Sequence, residues 1–202
     1  IFMCKILCVT NRRLCEEDFL LRVEKIAREH PAGIILREKD LGEEEYKELG
    51  KAVMEISGRY GTNVILHNYV KAAMELGASA IHLPLPVLRG LSKGERRQFS
   101  ILGASCHSAE EALEAERLGC TYITAGHIFE TDCKKGLPGR GLAFLEQVCR
   151  SVSIPVYAIG GIDETKINLV KQAGAAGACV MSGAMKCQDV HSYLQNFREN
   201  GS

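Results

Sequence analysis

Residues 155–183, PVYAIGGIDETKINLVKQAGAAGACVMSG, hold the pattern from which the fold is read. The run 155–159 is apolar and β-branched and stops at Gly160-Gly161, so it reads as a strand. Residues 165–173 read as a helix closed by Gly174, and 177–181 as another apolar strand that stops at Ser182-Gly183. Strand, helix and strand in so short a stretch form a crossover unit, and its apolar strands call for burial on both faces.

Working outward, the same alternation fills the chain. Strands are expected over 5–10, 33–36, 63–66, 80–83, 100–105 and 122–125, with helices over 15–29, 43–57, 70–76, 108–118, 142–152 and 189–199. Ser108 and Glu111 suggest a capping box at the start of 108–118, and 90–98 is only weakly helical. Eight strands alternating with helices predict an α/β protein, a (β/α)8 TIM barrel of one domain over residues 1–202. A doubly wound open sheet is the alternative, though it usually has fewer units.

Whatever follows a strand in such a barrel lies on the face where active sites of this fold are found. Gly160, Gly161, Ser182 and Gly183 follow the last two strands, where glycines let backbone N–H groups close on a phosphate. Arg37 and Lys39 alternate with Glu38 after the second strand, so both cations can face a second anionic group. Ser105, with Asn68, His82 and His107, could orient a ligand.

The loop within 121–141, TYITAGHIFETDCKKGLPGRG, gathers His127, Lys134 and Arg140 among glycines. It has no helical or strand pattern of its own, and loops of that kind are usually functional or disordered. His127 is the group best suited to move a proton near neutral pH. Cys133 lies beside Lys134 and Lys135, which favour a thiolate; it is read as incidental.

With 25 basic and 25 acidic residues the chain offers no electrostatic case for nucleic acid or an anionic membrane. No apolar run is long enough for a membrane span, and the start of the chain, interrupted by Lys5, does not read as a signal peptide. A cytoplasmic protein is expected. Nine cysteines without a C-x-x-C pair read as reduced core residues. No metal site is expected, because the ends of the third and fourth strands supply no acid.

The stretches AIGGI, VMSG, LREK and GHIFETDCKKGLPGRG resemble the thiamine phosphate synthase superfamily of (β/α)8 proteins, and within it the thiazole tautomerase branch. Synthases carry Gly-Pro where this chain has Gly126-His127, so the resemblance makes His127 the mark of the tautomerase. Synthases also have Gln at the position of Ile35 and Asp residues in the stretches matching 67–69 and 83–87, where Mg²⁺ and pyrophosphate are held. This chain lacks them.

The resemblance therefore implies an isomerase that converts an ylidene carboxythiazole phosphate to its aromatic tautomer. His127 would be catalytic, Arg37 and Lys39 would lie near the carboxylate, Lys134 along the substrate, and Gly160, Gly161, Ser182 and Gly183 around the phosphate. No cofactor is expected, with Mg²⁺ required only if the protein is instead a synthase joining a pyrimidine pyrophosphate to a thiazole phosphate. A non-catalytic, regulatory binder of thiazole or thiamine phosphate is the third reading. The expected partner is the small thiazole phosphate itself, and a homodimer is one expected assembly.

Overall fold

The computed structural model describes residues 5–131 and 136–201. Eight strands, β1 (Lys5–Val9), β2 (Gly33–Leu36), β3 (Val64–His67), β4 (Ala80–Pro84), β5 (Ile101–Cys106), β6 (Tyr122–Gly126), β7 (Val156–Ile159) and β8 (Gly177–Val180), pair in parallel in chain order. β8 returns to β1, with Lys5 opposite Gly177, and closes the barrel. The predicted (β/α)8 fold is the one observed.

The two-residue period of the strands divides the core. Leu7, Val9, Ile35, Ile65, Tyr122, Tyr157 and Cys179 point into the barrel, while Ile6, Cys8, Ile34, Leu36 and Leu66 point out toward the helices. Both faces are largely buried, so each strand is a nearly unbroken apolar run.

Around the barrel lie α1 (Phe19–Arg28), α2 (Glu43–Gly58), α3 (Val70–Glu75), α4 (Leu85–Gly90), α5 (Lys93–Arg96), α6 (Ala109–Arg117), α7 (Gly141–Ser151), α8 (Ile167–Gln172), α9 (Ser182–Lys186) and α10 (Val190–Asn200). Two local expectations are corrected, and one helix is added. α1 starts at Phe19 rather than residue 15, because the Asp18 carboxylate accepts from Leu21 N at 2.9 Å and caps it there. The weak stretch at 90–98 holds the short α5, and α4 precedes it, starting at Leu85 directly after β4 because Pro86 suits the first helical turn. α9, immediately behind β8, has no periodic signal in the sequence.

The capping box at α6 is also rearranged. Ser108 Oγ accepts from Glu111 N at 3.1 Å, but the Glu111 carboxylate turns back to the His107 N–H at 2.6 Å instead of that of Ser108.

Candidate active site

A cavity of about 360 Å³ opens at the C-terminal ends of the strands. Arg37, Lys39, Ser105, His127, Gly160, Gly161, Ser182 and Gly183 all line it, so the barrel brings these eight together from five strand ends. Lys134 and Cys133 lie outside the described residues. Among the other expected groups, His107 also reaches the cavity, with Nδ1 held 3.0 Å from Gly126 O.

The wall above β2 is built by a buried acid. Glu38 is 2% exposed and points away from the cavity, between the two cations that face it. Its carboxylate accepts from Thr10 Oγ1 at 2.8 Å, from Arg12 N at 3.0 Å and from the Arg12 guanidinium at 3.2 Å. Thr10 Oγ1 in turn accepts from Arg37 N at 3.0 Å. Arg12 also grips Asp40 through two hydrogen bonds of 2.6 and 2.7 Å, and this holds the Asp40 carboxyl down at about 2.

Below that wall, Tyr46 of α2 joins two strand ends. Its hydroxyl donates to Leu36 O at 2.6 Å and accepts from His67 N at 2.7 Å. His67 lines the floor, and burial, followed by the charges of Arg37 and Lys39, pushes its imidazole down to about 4. The floor histidine is neutral at pH 7, and the cations that depress it belong to the cavity.

The opposite wall is made of backbone. Ile128 N donates to Ile159 O at 2.9 Å and Phe129 N to Gly160 O at 3.0 Å, so the loop after β6 continues to pair with the chain after β7. Its far end returns to the same place, with Arg140 N on His127 O at 3.0 Å and Gly141 N on Ile128 O at 2.9 Å. Gly160 and Gly161 have φ of +102° and +65°, and a Cβ would sit 2.4 Å from His127 Cβ at the first and 2.2 Å from Glu130 O at the second. Glycine is required here by the packing of two loops as much as by any anion.

Two contributors to this wall carry no sequence signal. Tyr193 of α10 lines the cavity, and its hydroxyl would be 2.2 Å from a Cβ at Gly183. Arg22 of α1 is buried and donates to Cys187 O at 2.8 Å, which anchors the end of α9. Neither could be placed without the helix packing.

His127 is buried against Gly160, with Nε2 3.3 Å from Leu137 O. The arrangement ties the two sides of the loop together. As for metal, among the described residues the lining contains no carboxylate, and no group of three or more His, Cys, Asp or Glu able to hold an ion occurs. Mg²⁺ is held through carboxylates and phosphates, so the lining does not fit it as a protein-bound ion.

Residues 6–184 match the family described as thiamine monophosphate synthase. The chain belongs to this family. It is 33% identical over 195 residues to thiamine-phosphate synthase 2 of Streptococcus pneumoniae serotype 4, covering 94% of this chain and 91% of that protein. It is 35% identical over 188 residues to thiamine-phosphate synthase of Desulfitobacterium hafniense, covering 90% and 89%. The solved structure of thiamine phosphate pyrophosphorylase from Pyrococcus furiosus superposes with a TM-score of 0.82 at 30% identity, covering 97% of this chain and 94% of that one.

These relatives overturn the tautomerase expectation. These relatives, at 30–35% identity over nine-tenths or more of the chain, are named as thiamine-phosphate synthases or pyrophosphorylase, so the isomerase reading is corrected toward a transferase. His127, which that expectation made the catalytic group, lines the cavity with Nε2 3.3 Å from the Leu137 carbonyl, a contact that also holds the loop. No helix among the described residues is long and apolar enough to cross a membrane.

Proposed function

We propose that this cavity is the active site of a transferase that joins a pyrimidine pyrophosphate to a thiazole phosphate, yielding thiamine phosphate and pyrophosphate. What carries the reading is identity of 33% and 35% over nine-tenths of the chain to proteins of that name. The cavity supports it by having two separate places for anions, one made of side-chain cations and one of glycine backbone.

In the transfer, the bond between the pyrimidine methylene and the pyrophosphate oxygen breaks, and the oxygen keeps the pair. The thiazole ring nitrogen supplies the pair for the new C–N bond, so no electrons are gained or lost overall. Arg37 and Lys39 receive the pyrophosphate and stabilise the charge that builds as it leaves. Gly160, Gly161, Ser182 and Gly183 hold the thiazole phosphate and so aim its ring nitrogen. His127 keeps the loop after β6 closed against the phosphate wall.

No step is assigned to a metal, because the lining residues do not suit one. The test is chromatography of reactions containing both substrates, or either alone, in buffer with Mg²⁺ supplied. Thiamine phosphate and pyrophosphate formed in equal amounts, only when both substrates are present, support the reading. Absence of product above an enzyme-free control overturns it.

A further inference from the structure

Resting on the transferase reading, we propose that Tyr122 and His82 are positioning residues that hold the Ser105 hydroxyl as a hydrogen-bond donor aimed at the anion in the cavity. The observation is a line of polar atoms through the interior of the barrel. Tyr122 Oη lies 2.8 Å from His82 Nδ1, and His82 Nε2 lies 2.8 Å from Ser105 Oγ. Thr124 Oγ1 adds longer contacts of 3.5 Å to Ser105 Oγ and to His82 Nε2.

The line exists because a side chain is missing. Gly103 stands opposite both His82 and Tyr122 in the strand register, and a Cβ there would be 2.2 Å from Tyr122 Cζ. Glycine at this position lets the phenol cross the barrel. Ser105 and Thr124 line the large cavity, whereas Tyr122 lines a smaller one with Leu7 and Tyr157 at the other end of the barrel.

Proton counting gives the direction. A buried, neutral imidazole has one N–H and one lone pair, so its two ring nitrogens must play opposite roles. If the phenol donates to Nδ1, the imidazole proton sits on Nε2 and is donated to Ser105 Oγ. The Thr124 hydroxyl takes the second lone pair of that oxygen, and the serine proton is left facing the cavity. With the reverse tautomer the serine proton is spent on Nε2, and oxygen lone pairs would face an anion. The first arrangement is the one that suits an anion in a cavity whose charged lining groups, among the described residues, are Arg37 and Lys39.

Two readouts test this, one of them independent of turnover. In ¹⁵N-histidine-labelled protein, long-range ¹H–¹⁵N spectra, with the His82 signals assigned from His82→Gln, are expected to show His82 protonated on Nε2. In Tyr122→Phe the preference is expected to weaken or reverse. His82 protonated on Nδ1 in the wild type overturns the proposal.

Calorimetric titration with inorganic pyrophosphate supplies the second. Tyr122→Phe and Ser105→Ala are each expected to weaken binding about 10-fold, as for one hydrogen bond to a charged group, and the double variant no more than either single one. Gly103→Ala, which displaces the phenol without removing a polar group, is expected to match Tyr122→Phe. Fully additive losses overturn the proposal, since a merely structural tyrosine would weaken binding whether or not Ser105 is present. A wild type that fails to bind pyrophosphate counts against the transferase reading, and the His82 tautomer then decides the proposal alone.

Discussion

The two walls of the cavity are built by different means. Above β2 the wall is made of side chains: Arg37 and Lys39 face inward while Glu38, between them, is held outward by Thr10 and Arg12. Above β7 and β8 it is made of backbone, with Gly160 and Gly161 in conformations that leave no room for a Cβ beside His127 and Glu130. A side-chain wall can lose a group and keep its shape, whereas a backbone wall loses its shape with a single methyl.

The largest effect is therefore expected at Gly161→Ala. The positive φ costs about 1–2 kcal/mol, and contact with the Glu130 carbonyl adds to it, so product formation should fall at least about 100-fold and the denaturant midpoint should drop. Gly90→Ala is the control, since its added methyl meets nothing within 4 Å. Equal tolerance at both positions would break the distinction between the walls.

Next in size is Glu38→Ala. It leaves the Thr10 hydroxyl and the Arg12 N–H without their acceptor, at a cost of about 1–3 kcal/mol as for buried donors left unsatisfied. The KM for the pyrimidine pyrophosphate should rise about 10-fold as Arg37 and Lys39 lose their common direction. Stability measured by urea unfolding, set beside KM, separates the two consequences. A variant that loses stability but keeps its KM would show that the cations are positioned without the clamp.

A smaller effect comes from two buried histidines, His67 on the cavity floor and His82 in the barrel interior. Burial holds His67 near 4 and His82 near 3, both below the ordinary 6.5, so the folded protein keeps them neutral while the unfolded chain takes up protons first. Stability should be level above about pH 6.5 and fall as the pH drops from there toward 4. The loss per histidine should be about 1 kcal/mol near pH 5.5, and His67→Gln should flatten part of it. A urea midpoint unchanged between pH 7 and pH 5 would contradict the neutral floor.

Much of this was legible in the sequence. The two-residue period and the glycine stops gave eight strands and the closed barrel, and Arg37, Lys39, Ser105, His127 and the glycine pairs meet in one cavity because strand ends share one face. What escaped depends on packing between distant segments: Tyr193 reaches the cavity from the last helix, Arg22 anchors α9 from the first, and Tyr122 crosses the barrel only where Gly103 makes room. The activity expectation rests on the motif position of His127, and the relatives overturn it; the contact of its ring with Leu137 is visible only in the folded chain.

The most direct measurement is the KM of Arg37→Met for each of the two substrates beside wild type. If each wall holds one anion, the KM for the pyrimidine pyrophosphate rises about 10-fold or more, while that for the thiazole phosphate stays within about two-fold. Equal rises for both substrates, or a rise for the thiazole phosphate alone, would contradict the division of the cavity into two anion sites.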